Sequence, residues 1–472
     1  MLFNSYEFIF IFLPTTFFIY FYLNNKRLIL ASKGFLVFSS LVFYSWWNIV
    51  YLPLILGSML FNYIVGNTLN NSHINKKKLL TFGIISNILL LVYFKYSDFF
   101  IQNINLLASS HIPTLDLALP LAISFFTFQQ ISYLVDSYKK ETKEYDFLNY
   151  ALFVTFFPQL IAGPIVHHKE MMPQFEKTKN KVKNYKNISM GLFIFSIGLF
   201  KKVVIADSFA IWATNGFDIS TSLTFFEAWA TSLSYTFQLY FDFSGYTDMA
   251  IGIALLFNIK LPINFNSPYK AISIQDFWRR WHITLSRFLK DYIYIPLGGN
   301  RKGEFRTYTN LMVTFIIGGL WHGAGWTFIF WGFLHGLALV IHRIWKKLNI
   351  KLNTILAWFI TFNFLNISWI FFRAKEWDDA LKVLYGMINF NSINFTNINS
   401  LHLNISYLIN YIRSDDIVYL YLFIVFILIF LKNSYEIINK KQNIINIVFY
   451  SILFIISILS LNKASEFLYF NF

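Results

Sequence analysis

Long apolar runs separated by short polar loops repeat from one end of the chain to the other. Many of these runs are close to the ~20 residues that an α-helix needs to cross the hydrocarbon core of a bilayer. The pattern therefore predicts an all-α polytopic membrane protein and argues against a soluble multidomain one. The first run, residues 8–23, has no basic stretch before it and no small-residue cleavage site after it, so we expect a retained helix.

Basic residues are distributed unevenly among the loops. They concentrate in loops such as 76–78, 169–186 and 343–351, whereas 97–119 and 213–224 contain none. Because cytoplasmic loops are enriched in Lys and Arg, we assign the basic loops to the cytoplasm. This assignment places both termini on the outer, periplasmic side and predicts about 12 spanning helices.

Two segments do not fit a simple crossing. Segment 147–165, FLNYALFVTFFPQLIAGPI, has basic loops on both sides and contains two prolines and a glycine. Broken backbone is tolerated at membrane depth where protein or a cavity surrounds it, so we expect this segment to be re-entrant. Segment 260–306 is too charged to span, and we expect it at the cytoplasmic interface as amphipathic pieces.

No soluble domain, low-complexity tract or clear internal repeat divides the chain. We therefore predict one transmembrane domain over 1–472, with the unusual residues concentrated in a core motif region, 242–342.

The amino-acid composition excludes several kinds of functional site. The chain is 56% hydrophobic and 13% charged, and it contains no cysteine. A thiolate nucleophile, a disulfide and a cysteine-ligated metal are thereby excluded. We expect no metal site and no permanently bound cofactor. The net charge of +15 comes largely from the basic loops, whose role in membrane orientation explains it, so we expect no nucleic-acid partner.

Two carboxylates lie inside an apolar run, in YFDFSGYTDMAIG. Asp242 and Asp248 are costly in a membrane and are therefore candidates for polar residues of a channel or wet cavity. The alternative is that they pair with Lys201 or Lys202 and only hold helices together. The sequence leaves both interpretations open.

A basic and aromatic cluster follows in FWRRWHITLSRFLKDYIYIPLGGNRKGE. Its aromatic and basic side chains are suited to the phosphates and adenine of a nucleotide-containing donor, through charge and stacking. The residues concerned are Trp278, Arg279, Arg280 and Arg287. The alternative is an interfacial helix that binds anionic membrane lipids.

The stretch GLWHGAGWTF places His322 between two tryptophans and among glycines, at the predicted break of a helical hairpin. Histidine exchanges a proton near neutral pH, and glycines allow close approach, so His322 is a candidate general base. The alternative is a buried structural histidine. His335 is a weaker candidate on the same hairpin, and His167 and His168 are expected near the mouth of the re-entrant segment.

The stretches WRRWHITLSRFLKDYIYIPLGG and GLWHGAGWTFIFWGFLHG closely resemble the membrane-bound O-acyltransferase (MBOAT) family. The similarity is to the branch that contains the membrane subunits of alginate and peptidoglycan O-acetylation. It extends to PQLIAGPIVHH, GLFKKVVIAD and YFDFSGYTDMAIG, and so covers most of the chain.

The resemblance implies a helical bundle with a funnel on each side, meeting at a constriction that holds the catalytic histidine. His322 corresponds to the essential histidine of the family and His282 to its second characteristic histidine. The implied reaction takes an acetyl group from a cytoplasmic thioester, acetyl-CoA, for O-acetylation of an extracytoplasmic polysaccharide. Peptidoglycan is the first expected polymer and an alginate-like exopolysaccharide the second. The implied location is the bacterial inner membrane, and the implied partner is a separate periplasmic transferase or esterase-like subunit.

The chain finishes in SEFLYFNF, which is similar to FxYFxF tails in this branch. Tyr469 is therefore a candidate acyl relay, with an aromatic interfacial anchor as the alternative. A competing class for the whole protein is a transporter of lipid-linked sugars, which predicts paired broken helices in two related halves. The concentration of unusual residues in 242–342 favours the acyltransferase.

Overall fold

The computed structural model describes residues 1–71, 75–141, 146–161, 163–393, 417–438, 443–461 and 468. In chain order its α-helices are α1 (Leu13–Asn25), α2 (Ile29–Ser45), α3 (Leu52–Asn71), α4 (Lys76–Lys95), α5 (Ser97–Ala108), α6 (Ile123–Tyr138), α7 (Phe147–Thr155), α8 (Phe157–Leu160), α9 (His168–Glu176), α10 (Tyr185–Phe200), α11 (Asp207–Thr214), α12 (Phe225–Leu256), α13 (Ile274–Trp278), α14 (Ile283–Leu289), α15 (Glu304–His322), α16 (Trp326–Lys347), α17 (Thr354–Arg373), α18 (Trp377–Ile388), α19 (Ile417–Leu428), α20 (Ser434–Ile438) and α21 (Ile444–Leu459).

Several of these helical segments are long and apolar enough to cross a membrane. Within the described residues six meet that length and composition: Glu7–Asn25, Ile49–Asn70, Lys76–Lys95, Tyr185–Ile219, Trp326–Lys347 and Thr354–Arg373. Three shorter helices, α2, α19 and α21, are also apolar. The predicted class, an all-α polytopic membrane protein, is confirmed, while the number of about 12 crossings stays a prediction.

The longest helix, α12, forms the centre of the molecule. It begins with a capping box in which the backbone N–H of Thr224 donates to the carboxylate of Glu227 at 2.9 Å. From Tyr235 to Met249 every side chain of the helix is buried. A helix that is apolar and buried on all sides belongs to the interior of a bundle, so α12 is the element around which the others pack.

Glycines allow α10 to lie directly against α12. A Cβ at Gly198 would come within 2.5 Å of the carbonyl oxygen of Gly245, and a Cβ at Gly245 within 2.7 Å of that of Gly198. Gly191 and Gly252 make the same reciprocal contact at 2.6 Å in each direction. Small residues let membrane helices approach at backbone distance, and these two glycine pairs fix the crossing of α10 and α12.

The segment predicted to be re-entrant has a broken backbone. Helix α7 ends at Thr155, Phe156 is outside helical geometry, and α8 is only a single turn. The amide of Phe157 at the break donates to Ser40 Oγ at 3.1 Å, and most side chains around it are buried. The break is thus enclosed by protein, which is the condition under which such backbone is tolerated. Its re-entry into the bilayer stays a prediction.

Segment 260–306 contains short helices, α13 and α14, joined by irregular backbone. Their apolar sides pack into the protein: Phe265, Trp281 and Phe288 are all buried. The segment thus contains short helices with buried apolar side chains, and its middle reaches the core of the bundle, while its place at the cytoplasmic interface stays a prediction. This penetration brings His282 from a charged loop to the centre of the molecule.

Helices α15 and α16 form the hairpin expected around GLWHGAGWTF. Helix α15 ends at His322, α16 begins at Trp326, and the glycines on either side of the break have extended backbone. Below the break the two helices touch closely, since a Cβ at Gly319 would overlap the carbonyl oxygen of Phe328. The predicted position of the helix break is confirmed.

Candidate active site

His322 is the last residue of α15, and only 3% of it is exposed. Aromatic side chains from three helices surround its ring. The ring centroids of Trp321, Trp331 and Phe372 lie 4.9, 5.2 and 5.0 Å from that of His322. The imidazole therefore occupies an apolar, aromatic enclosure where bulk water is scarce.

His282 is also close to Trp321. The Trp321 ring centroid is 6.4 Å from that of His282, so this indole is a neighbour of both imidazoles. His282 is completely buried and precedes α14 with a positive φ of 42°. Non-glycine residues adopt this conformation infrequently, and it often marks a functional position.

Asn264 determines which nitrogen of His282 carries the proton. Its Oδ1 accepts from the backbone N–H of Thr284 at 3.1 Å and from Thr284 Oγ1 at 2.9 Å, which identifies this atom as the oxygen. His282 Nδ1 lies 3.2 Å from the same oxygen and must donate to it. In the neutral ring, Nε2 is then the basic nitrogen.

His335 is held differently. The indole N–H of Trp278 donates to its Nδ1 at 3.2 Å, and Nε2 lies 3.1 Å from Ser368 Oγ. That hydroxyl donates to the carbonyl of Leu365 at 2.8 Å, so it accepts from Nε2. Both ring nitrogens are thus engaged, which suits a structural histidine better than a base.

The four residues predicted to bind the donor do not converge on one point. Trp278 is buried against His335, whereas Arg279 is exposed. Arg280 donates to Asp276 at 2.8 Å, and Arg287 makes a bidentate pair with Glu170 at 2.6 and 3.0 Å. Two of the three arginines therefore already have carboxylate partners.

Asp242 and Asp248 are paired with lysines, as in the alternative left open above. Lys202 Nζ lies 2.7 Å from Asp242 and 2.7 Å from Asp207. Lys201 Nζ lies 2.7 Å from Asp248 Oδ2, and Asp248 Oδ1 accepts a hydrogen bond from Ser434 Oγ at 2.9 Å. These bonds join α12 to the segment between α10 and α11 and to α20.

A cavity of about 800 Å³ lies next to the site. Its lining includes Asn264, the residue that holds His282, together with Asp248. Lys186 and Lys260 contribute cations, and the apolar part of the wall includes Met190, Ile194, Ile251 and Leu255. This cavity is large enough for part of a substrate and adjoins the residue that orients an imidazole.

His167 and His168 lie apart from these imidazoles. His167 Nδ1 is 3.4 Å from Asp136 and 3.2 Å from the hydroxyl of Tyr292. His168 is buried, with its ring centroid 5.2 Å from that of Phe153. A column of aromatic rings links the two regions: Tyr292, Phe288, Phe128 and Trp321 follow each other at 4.7, 4.0 and 5.0 Å.

Sequence reasoning missed two residues next to His322. Lys95 Nζ donates to the carbonyl of Trp321 at 2.6 Å and to that of His322 at 3.1 Å. The hydroxyl of Tyr96 donates to the carbonyl of Leu320 at 2.6 Å. The sequence does contain a signal for Lys95, which is its position within the apolar stretch LLLVYFKYSDFF. A charged side chain in such a stretch needs a polar partner.

The candidate acyl relay, Tyr469, lies outside the described residues. Its neighbour Leu468 is described, and the backbone N–H of Leu468 donates to Asp242 Oδ2 at 3.0 Å.

Fold and site together describe a polytopic membrane protein with buried imidazoles at its centre. The chain belongs to the membrane-bound O-acyltransferase family, whose family model matches residues 10–374. The predicted membership, and with it the class of enzyme, an O-acyltransferase, is confirmed.

Individual relatives are similar over most of the chain. The peptidoglycan O-acetyltransferase of Helicobacter pylori is 58% identical over 423 residues, which cover 83% of this chain and 80% of that protein. The probable alginate O-acetylase of Pseudomonas aeruginosa is 39% identical over 401 residues, covering 83% and 76%. The teichoic acid D-alanyltransferase of Bacillus subtilis is 28% identical over 281 residues, covering 56% and 71%.

Proposed function

We propose that this protein transfers acetyl groups from a cytoplasmic thioester, acetyl-CoA, for the O-acetylation of peptidoglycan outside the inner membrane. The observation that carries the proposal is the burial of His322 beside Trp321 and His282 in the core of the bundle. The choice of polymer follows the relative at 58% identity, a peptidoglycan O-acetyltransferase, over those at 39%, which are probable alginate O-acetylases.

In this mechanism His322 is the general base. Its imidazole takes the proton of the acceptor hydroxyl, and the oxygen attacks the carbonyl carbon of the thioester. The tetrahedral intermediate collapses when the C–S bond breaks, and the imidazolium returns the proton to the departing sulfur. The group is transferred without net uptake or release of protons.

His282 contributes orientation and polarity. Asn264 fixes its ring and leaves Nε2 as the basic nitrogen. In this position the ring can accept a hydrogen bond from the acceptor hydroxyl or from a protonated neighbour and so hold that group in place. The aromatic walls around His322 limit the access of water, and with it hydrolysis of the acetyl thioester.

We propose that the donor binds at the cytoplasmic face of segment 260–306. Arg279 is exposed, whereas phosphate binding by Arg280 or Arg287 would replace Asp276 or Glu170 as the partner. The neighbouring cavity combines an apolar wall with Lys186 and Lys260 and suits the pantetheine arm and phosphates of such a donor.

The proposal includes an inner-membrane location with both termini periplasmic, and a periplasmic transferase or esterase-like subunit that receives the acetyl group. In this arrangement Tyr469 is the acyl relay, a tyrosine hydroxyl that carries the group between the buried site and the partner. The bond from Leu468 to Asp242 supports it, because it brings the chain next to this tyrosine into contact with α12.

The test is the O-acetate content of peptidoglycan in a deletion strain, measured as base-released acetate after complementation. We expect wild type to restore the acetate and His322→Ala to restore none at an equal level in the membrane, because the base is missing. His335→Gln is the matched control, since it also changes a buried histidine of the same hairpin, and we expect it to retain most of the activity.

If His322→Ala restores as much peptidoglycan acetate as wild type does, His322 is a structural residue and the proposed mechanism is wrong. If deletion leaves peptidoglycan acetate unchanged but removes acetate from an exopolysaccharide, the enzyme class stands and the acceptor is the alginate-like polymer.

A further inference from the structure

The elbow between α4 and α5, residues 95 and 96, and α5 itself hold the two sides of the helix break that carries His322. On the α15 side, Lys95 and Tyr96 bind the carbonyls of the last three residues, Leu320, Trp321 and His322. On the α16 side, the indole N–H of Trp326 donates to Asn103 Oδ1 at 3.0 Å. These contacts join residues more than 200 positions apart in the chain.

The carbonyls at the end of α15 need such partners. The last turn of any α-helix leaves carbonyl oxygens without intrahelical donors, and these oxygens carry the negative end of the helix dipole. A cation at this position satisfies the oxygens and opposes the dipole. Because one of the oxygens belongs to His322 itself, the cap also fixes the backbone from which the imidazole projects.

The charge of Lys95 is more than a cap requires. In the described part of the chain, the hydrogen bonds of its ammonium all go to uncharged oxygens, those of Trp321, His322 and Ser124. A cation within a membrane bundle is costly without an anionic partner. A neutral donor such as the Tyr96 hydroxyl caps the adjacent carbonyl of Leu320 without this cost. An ammonium held on the Trp321 and His322 carbonyls at this cost therefore indicates that the exact position of the end of α15, and of the His322 backbone with it, matters for the reaction.

We propose that Lys95 is a positioning residue for His322, whose ammonium holds the end of α15 so that the imidazole faces the acceptor hydroxyl and the thioester. The inference rests on the proposed function, in which His322 is the base. Lys95 acts through the backbone of Trp321 and His322 and need not touch the substrate.

Substitutions of Lys95 test the proposal in the complemented deletion strain, with the initial rate of peptidoglycan O-acetylation after induction as the readout. We expect Lys95→Met to lose about 100-fold in rate, since small displacements of a catalytic group have effects of this size. We expect Lys95→Arg to keep most of the rate, because it retains the charge and the donors. Melting temperatures of the purified variants in detergent separate rate from stability.

Lys382→Met is the matched control. Lys382 Nζ also caps two carbonyls, those of Phe217 and Ser220, at 2.8 Å each, but these carbonyls lie outside the α15–α16 hairpin. We expect this variant to acetylate at nearly the wild-type rate. Tyr96→Phe is a second variant of the elbow that leaves the charge in place, and we expect a smaller loss of about three- to tenfold.

Three results would overturn the proposal. Lys95→Met could act at the wild-type rate while His322→Ala is inactive, which would leave the proposed function intact. Lys95→Met and Lys382→Met could lose rate and melting temperature equally, which would make Lys95 a structural cap. Lys95→Arg could be as inactive as Lys95→Met at an unchanged melting temperature, which would exclude a role of the charge. An active His322→Ala would instead remove the proposed function itself.

Discussion

The two imidazoles of the candidate active site are held in different ways. His322 is fixed through its backbone and by aromatic rings, whereas His282 is fixed through a ring nitrogen by the side chain of Asn264. The second arrangement depends on one amide oxygen that serves three donors. Asn264 is therefore the residue on which the orientation of His282 depends.

We expect Asn264→Ala to reduce the rate of O-acetylation about 10- to 100-fold, because His282 loses the acceptor that fixes its ring. The measurement is base-released acetate at equal membrane levels. Asn87→Ala is the control: Asn87 is also buried and donates to Asn62 Oδ1 at 2.7 Å, but it joins α3 to α4. A wild-type rate for Asn264→Ala would show that His282 does not need this orientation.

The sequence predicted both candidate histidines but not the residues that support them. His322 stands out because imidazole, tryptophan and glycine are unusual together in an apolar run. Lys95 is two residues before Ser97, where the loop 97–119 begins, so it reads as a lysine near the end of a spanning helix. Asn264 is one asparagine in a chain rich in them. Their roles come from partners that only the tertiary structure brings close, such as Trp321 for Lys95.

At the scale of elements, the crossing of α10 and α12 depends on the absence of side chains. The backbone of Gly198 is in contact with that of Gly245, so even one methyl group would push the two helices apart. Because most residues of α12 are buried among the surrounding helices, a shift at this crossing would spread to its neighbours.

We expect Gly198→Ala to lower the free energy of unfolding by about 1–3 kcal/mol, the usual cost of overpacking. Gly34→Ala is the control, since a Cβ at Gly34 meets nothing within 4 Å and alanine favours the helix. Thermal unfolding of the purified variants in detergent measures both. A Gly198→Ala variant as stable as Gly34→Ala would contradict backbone contact at this crossing.

Helix periodicity and the positions of glycine and proline predicted the helices and their breaks. They did not predict as well which residues surround each helix. The glycines of GLWHGAGWTF gave the break between α15 and α16, and the prolines of 147–165 gave a broken segment. The charges of segment 260–306 indicated an interface, yet Trp281 and Phe288 are buried in the core. The charges of a segment indicate that part of it lies in water. They do not show how deeply its apolar side chains enter the protein.

At the scale of the whole molecule, two buried carboxylates of α12 form ion pairs with the segment before α11 and accept hydrogen bonds from the C-terminal part. Asp248 binds Lys201 before α11 and Ser434 in α20, and Asp242 binds Lys202 and the backbone of Leu468. Asp248 also lines the cavity of about 800 Å³. A role of this carboxylate in substrate passage and a purely structural role predict different effects of its replacement.

We expect Lys201→Met alone to destabilise the protein by about 3–5 kcal/mol, because it leaves the buried Asp248 carboxylate without its cation. The double variant Lys201→Met with Asp248→Leu should recover most of this loss, since neither charge is then left alone. Thermal unfolding measures the coupling, and acetate release measures activity. A double variant that is stable but inactive would assign Asp248 to the reaction path.

The packing of Phe3 has a practical consequence for work with this protein. Its ring is buried and stacks on that of Tyr246 in α12 at 4.6 Å, and the amino group of Met1 donates to the carbonyl of Phe43. Additional chain placed next to Phe3 would therefore displace a ring that packs on the central helix. The exposed loop between α16 and α17, residues 349–353, is the better place for an epitope.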